Sequence, residues 1–141
     1  MSQENEVRAE AQWVDIEIFA ENMNVTVKGV SLKWGKFHKP GNKGSEVKIS
    51  DIEGHVIPAG TSYRICSSGR ANASSGTEGE FKLYDGDIEL AKYYWDCPWG
   101  SKKNKDDFKP TSNTNYKLNK TGGNYESGAL GNINIICIKV R

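Results

Sequence analysis

Tryptophan beside lysine recurs at two places in this chain, Lys33-Trp34-Gly35-Lys36 and Trp99-Gly100-Ser101-Lys102-Lys103. An indole settles where its ring is in apolar surroundings and its N–H stays wet, and a neighbouring lysine can meet a phosphate. The pair therefore suits the headgroup level of a membrane. Indole and tyrosine faces also attract choline-type ammonium groups through cation–π interactions worth about 0.5 to 2 kcal/mol each. The second pair closes the segment Tyr93 to Ser101, Tyr-Tyr-Trp-Asp-Cys-Pro-Trp-Gly-Ser, which carries the four aromatics Tyr93, Tyr94, Trp95 and Trp99. Successive strand residues point to opposite faces, so these rings cannot all turn inward. Two readings stand open: Tyr94 and Trp95 fill a core while Trp99 caps a turn, or the rings form a contact surface. The same choice applies to Trp34, which is either a core residue or a contact.

Catalytic material is sparse. His38 and His55 are isolated from each other, which leaves neither a Ser-His-Asp set nor a His-rich metal site unless distant residues converge. There is no GxSxG elbow, no GxxxxGK[ST] and no GxGxxG between a strand and a helix. Neighbouring acids such as Glu78 with Glu80, or Asp106 with Asp107, read as solvated carboxylates. No catalytic residue, cofactor or metal is assigned. Lysine and arginine number 19 against 18 acidic residues, a net charge of +1, so no global field attracts nucleic acid. Cys66, Cys97 and Cys137 form no CxxC pair and read as small buried hydrophobes.

The elements that must hold the two tryptophan loops are strands. No stretch sustains a capped 3.6-residue apolar period, so helix content is expected to be very low. Gln12 to Ala20 alternates, with Val14, Ile16 and Ile18 on one face and Trp13, Asp15, Glu17 and Phe19 on the other. A second strand runs over Asn24 to Trp34, and its change of parity at Lys28-Gly29 predicts a bulge. Gly35 to Ser45 reads as a basic loop, with short strands at Glu46 to Ile49 and Thr61 to Cys66 and a long polar loop over Ser67 to Gly79. Phe81 to Tyr84 and Ile88 to Trp95 flank an Asp-Gly hairpin signal, and the tail offers Tyr116 to Leu118, a Gly-rich turn at Thr121 to Gly131, and the apolar strand Ile133 to Val140. Roughly eight to ten short strands spaced by turns predict an all-β, single-domain sandwich or barrel. Residues 1–10 are expected to form a flexible amino-terminal extension and 11–141 the domain. The polar start carries no apolar signal core, which predicts a soluble chain, cytoplasmic until released and then peripheral on target-cell membranes.

The residues Ala11-Gln12-Trp13-Val14, Trp34-Gly35-Lys36-Phe37-His38, Gly69-Arg70, Gly76-Thr77-Glu78-Gly79-Glu80-Phe81, Tyr94-Trp95-Asp96-Cys97-Pro98-Trp99-Gly100-Ser101-Lys102 and Ser127-Gly128-Ala129-Leu130-Gly131 stand in an order that closely resembles the aegerolysins, over about residues 11 to 140. The resemblance implies a β-sandwich similar to that of actinoporin-like cytolysins. It also implies binding to sphingolipid-rich membranes, with sphingomyelin plus cholesterol or ceramide phosphoethanolamine as the lipids. A larger partner, often with a membrane attack complex/perforin domain, would be recruited to form the pore, and several such pairs are insecticidal.

On that basis Trp34 and Trp99, with Trp13 and Phe108, are expected to dip into the interface. Lys36 and Lys102 would meet phosphate, and the Ser74 to Glu78 loop, with Ser75 and Glu78, would shape a headgroup pocket. The chain departs from the family pattern in three places. Ser75 stands where an acidic residue helps to choose the lipid, Asp106-Asp107-Phe108 replaces a further tryptophan and makes that membrane edge more acidic, and Ser68 replaces a cysteine. The expected function is a non-enzymatic, lipid-binding component of a two-protein cytolysin. The alternative is a lectin-like or receptor-binding module that uses the same aromatic loops.

Overall fold

A computed structural model describes residues 10–141; the expected extension, apart from Glu10, lies outside the described residues. In chain order the elements are β1 (Trp13–Glu21), β2 (Val25–Trp34), β3 (Lys36–Lys39), β4 (Asn42–Val47), a single helical turn α1 (Ile49–Ile52), β5 (Val56–Ile57), β6 (Ser62–Ser68), β7 (Thr77–Asp85), β8 (Ile88–Cys97), β9 (Lys105–Pro110), β10 (Tyr116–Gly122) and β11 (Gly131–Lys139). They form two sheets, a six-stranded one ordered β10-β11-β1-β6-β3-β4 and a five-stranded one ordered β5-β2-β7-β8-β9. The parallel pairing of β1 with β11 joins the two ends of the domain. The sandwich expected from the sequence is the fold observed.

Period-two alternation decides what is buried. Val14, Ile16 and Ile18 of β1 face Val25, Val27, Phe81 and Leu83 of the other sheet, and all are buried. Tyr93 and Trp95 turn inward from β8 while Tyr94 points out, so the core reading of this segment was shifted by one residue: Tyr93 rather than Tyr94 is Trp95's partner, their rings stacked at 6.2 Å. The expected bulge in β2 is present, with a register shift between Lys28 and Ser31 and Gly29 at φ +62°. A bulge leaves amides off the ladder. Here the Glu53 carboxylate accepts both, from Gly29 at 3.1 Å and from Val30 at 2.8 Å.

Three segments differ from expectation. Gly35 to Ser45 is the β3–β4 hairpin rather than a loop, because Phe37 fills the core and β3 hydrogen-bonds to β6 as well as to β4. The strand placed at Glu46 to Ile49 stops at Val47 and gives way to α1, which buries Ile52. The long loop at 67–79 shrinks at both ends, since Ser67 and Ser68 finish β6 and Thr77 opens β7. β9 carries mostly charged residues and gave no strand signal.

Those misread polar residues connect the sheets. Trp95 Nε1–H donates to Thr77 Oγ1 at 3.0 Å, Thr77 and Ser67 hydroxyls lie 2.6 Å apart, and Ser67 Oγ donates to the Lys36 carbonyl at 2.8 Å. An indole N–H can only donate and a carbonyl can only accept, so Thr77 must donate to Ser67 and the chain has one direction. Replacing Thr77 by valine keeps the shape but leaves the Trp95 N–H and the Ser67 oxygen unpaired in the core. Thr77→Val should therefore lose about 1 to 3 kcal/mol in denaturant unfolding. A loss within error of zero would show that the buried chain contributes nothing to stability.

Candidate functional site

The outer face of the five-stranded sheet carries one cross-strand row at the end where β2 and β8 finish. Trp34 pairs with Glu78, Glu78 with Asp96, and Asp96 with Lys105. Glu78 and Asp96 are each one step from a buried neighbour, so the core positions of Thr77 and Trp95 put them outside. A cleft of about 770 Å³ opens over the row. Its walls are Trp34, the Ser74 to Gly76 segment, and the Pro98 to Lys103 bend that carries Trp99. Trp34 is 53% exposed, which settles it as a surface residue. Trp99 is half-buried, and its indole N–H has no acceptor among the described residues.

The two walls meet through glycine. A Cβ on Gly76 would sit 1.8 Å from the Cys97 carbonyl oxygen, so only glycine lets this segment lie on the Cys97-Pro98 backbone. The far side of the bend is tied down by two buried amides. Gln12 donates to the carbonyls of Pro98 at 3.0 Å and Gly128 at 2.8 Å. Asn104 donates to those of Asn124 and Gly128 at 2.9 and 3.0 Å.

Both signs of charge line the cleft. Tyr94 O–H donates to Glu78 at 2.5 Å. Burial first, and then the hydrogen bond to Glu78, push the Tyr94 phenol up, so it stays a donor at neutral pH. Burial and the neighbouring Glu78 also raise the Asp96 carboxyl above its ordinary range, against the pull of Lys105, Lys33 and Lys102. The arrangement can hold a zwitterionic group, with a cation against the carboxylates and indole faces and an anion against Lys102 and Lys103.

Five of the eight residues expected at a binding surface come together here: Trp34, Ser75, Glu78, Trp99 and Lys102. The other three do not line the cleft. Lys36 is buried, its Nζ 2.6 Å from Glu10 Oε2, because β3 lies inside the six-stranded sheet and Glu10 covers it. Trp13 is half-buried on β1 with Lys43 Nζ 5.6 Å from its ring centroid. Phe108 packs against the core from β9, opposite Tyr93. Asp106 also turns inward. It accepts from Tyr93 at 2.7 Å and Tyr125 at 3.1 Å and pairs with Lys120 at 2.8 Å, so it does not add acidity to the exposed edge.

Asp96 and Lys105 were missed by sequence reasoning. Asp96 sits inside the aromatic segment, and strand parity from Trp95 would have placed it outside; Lys105 has no local signal. Among the described residues no group of three His, Cys, Asp or Glu side chains is arranged to hold a metal ion. The three cysteines are free and buried, and burial pushes the Cys97 thiol up to about 11 and the thiols of Cys66 and Cys137 up to about 12, far from a nucleophile's range. No helix among the described residues is long and apolar enough to cross a membrane.

Comparison with known proteins gives consistent matches along the whole chain. The family profile described as Aegerolysin matches residues 11–140. Asp-hemolysin of Aspergillus fumigatus is 38% identical over 131 residues, 92% of this chain and 94% of that protein. Ostreolysin A6 of Pleurotus ostreatus is 40% identical over 135 residues, covering 93% and 97%. The crystal structure of IP-1A from Alcaligenes faecalis superposes with a TM-score of 0.92 at 51% identity, covering 98% of both chains.

The close approach at Gly76 makes the cleft testable without any ligand. Gly76→Ala should lower stability by about 1 to 3 kcal/mol, the usual cost of forcing atoms into a packed contact, and should shift tryptophan fluorescence as the Trp99 wall moves. An unchanged melting temperature and spectrum would show that the two walls do not touch as described.

Proposed function

Because the chain belongs to the aegerolysin family, we propose that it is a non-enzymatic membrane-lipid-binding protein that reads sphingolipid headgroups in the Trp34–Trp99 cleft. In this reading it is the targeting half of a two-protein cytolysin. The observation that carries it is the cleft itself: two indoles, two carboxylates and three lysines gathered over one end of a rigid sandwich. A sphingomyelin or ceramide phosphoethanolamine headgroup has both charges that such a cleft can pair, and the indoles would settle at the headgroup level beside it. The names of Asp-hemolysin and ostreolysin A6 fit a cytolytic context. The recruited partner is a larger pore-forming protein, of membrane attack complex/perforin type, and the target is an invertebrate membrane rich in ceramide phosphoethanolamine, which gives the pair an insecticidal role. The protein is peripheral on such membranes.

Vesicle sedimentation tests the binding step. The protein should pellet with vesicles containing ceramide phosphoethanolamine, or sphingomyelin plus cholesterol, and stay in solution with plain phosphatidylcholine, while releasing no lipid hydrolysis product. Trp99→Ala and Trp34→Ala should each weaken binding by on the order of 1 to 3 kcal/mol, the scale of one aromatic side chain taken out of water, with little change in melting temperature. Equal pelleting with phosphatidylcholine, or full binding by both variants, would sink the cleft as the lipid site.

Dye release tests the division of labour. The protein alone should bind target vesicles and release little dye, and prior binding should bring the larger partner to the membrane and start leakage. Efficient release by this chain alone at just-saturating concentration would point to a self-sufficient pore former.

A further inference from the structure

We propose that a second groove, beside the cleft and on the same end of the sandwich, takes a phosphate-bearing bilayer lipid next to the one held in the cleft; the proposal rests on the lipid-binding reading above. The groove has a volume of about 410 Å³ and a floor of Leu32, Phe37 and Val47. Ile49, 41% exposed, stands at its lip.

Topology fixes where it opens. Leu32 lies two residues before the end of β2 at Trp34, and Phe37 lies one residue past the start of β3. Val47, the last residue of β4, is Phe37's cross-strand partner. Arg70 follows the end of β6, which is antiparallel to β3 and so finishes beside Lys36. Only the turn Trp34-Gly35-Lys36 separates this groove from the cleft, so both lie at the same end of the sandwich.

Its chemistry complements the boundary between headgroups and acyl chains. The floor is apolar, while Lys48 and Arg70 give the rim a positive charge. Among the described residues no carboxylate pairs with the Lys48 ammonium. Arg70 donates to Glu46 at 3.0 and 2.7 Å, but both side chains are about half exposed, and such a pair is worth little. A guanidinium matches phosphate bidentately, so a lipid phosphate can take the place of Glu46. Lys36, held by Glu10, takes no part. A lipid seated there would put its phosphate on the rim and its first methylenes against Leu32 and Ile49, giving the protein two points of contact and one fixed orientation.

The double variant Lys48→Gln/Ile49→Ser changes two surface side chains and can be compared with the wild type on three vesicle types: sphingomyelin, cholesterol and phosphatidylcholine; the same with phosphatidylserine replacing phosphatidylcholine; and phosphatidylserine with phosphatidylcholine alone. The variant should raise the Kd about tenfold on the second mixture and less on the first, at unchanged melting temperature. Arg70→Gln, which leaves the apolar floor intact, should raise it about fivefold and decides the matter if the double variant is unstable. If both variants bind like the wild type on all mixtures while Trp99→Ala loses binding, the groove is overturned and the cleft stands. If the wild type binds the sphingomyelin-free vesicles in a manner that depends on Lys48 and Arg70, and sphingomyelin adds nothing, the groove stands and the cleft reading falls. Retention on no vesicle overturns both.

Discussion

The buried hydrogen-bond chain from Trp95 through Thr77 and Ser67 to the Lys36 carbonyl is the constraint on which the rest of this structure depends. It begins in the five-stranded sheet and ends in the six-stranded one, and every polar group in it is satisfied. Buried polar groups that lack partners are costly, so the two sheets can meet in only one register at this point. Glycine serves the same end. A Cβ on Gly79 would lie 2.7 Å from Trp95 Cζ2, and the ring occupies the space it leaves. Phe37, Phe81 and Tyr93 pack around the indole with centroids 6.1 to 6.2 Å away. Once Trp95 and Thr77 are fixed inward, Asp96 and Glu78 must point outward, and the floor of the cleft follows from the order of the core.

The flanks are closed by single carboxylates rather than by more hydrophobic surface. Asp106 gathers Tyr93, Tyr125 and Lys120, linking the edge strand β9 of one sheet to the edge strand β10 of the other. Truncating one partner of a buried ion pair strands the other charge, so Asp106 and Lys120 act as a unit. On the opposite flank Glu53 holds the bulge of β2, and the turn α1 fills the gap with Ile52. The separation of the Trp34 end of β2 from the bend after β8 is set by β7, which pairs with both strands.

Strand parity made much of this legible in the sequence. Val14, Ile16 and Ile18 and the bulge at Lys28-Gly29 were visible because apolar spacing alone decides them. So were the aromatic bend and the meeting of Trp34, Ser75, Glu78, Trp99 and Lys102, the last through family resemblance. The errors fall where polarity and burial part company. Lys36 and His38 look like loop residues, yet β3 is an interior strand on which both are buried, Lys36 against Glu10. Ser67, Ser68 and Thr77 look like solvent-facing turn chemistry, yet they are buried because their hydroxyls find partners in the core or on the backbone. Asp106 reads as a surface acid until Lys120, fourteen positions away in the chain, comes to meet it. Local composition cannot show a partner supplied by another strand.

The same packing bears on what the protein can do at a membrane. A strand that spans a bilayer needs about 9 to 11 residues with an apolar stripe free to face lipid. β1, β2, β7, β8 and β11 reach nine or ten residues, but their apolar stripes are the core: Val14, Ile16 and Ile18, then Val25 and Val27, then Phe81 and Leu83, then Tyr93 and Trp95, then Ile133 and Ile135. Presenting any of them to lipid would unmake the sandwich and break the chain that joins its sheets. Surface contact makes no such demand, because Trp34, Trp99 and the lysines beyond the bend lie outside the core and can meet headgroups while the core stays intact. The packing of the core thus favours contact through the surface over insertion of the protein's own strands.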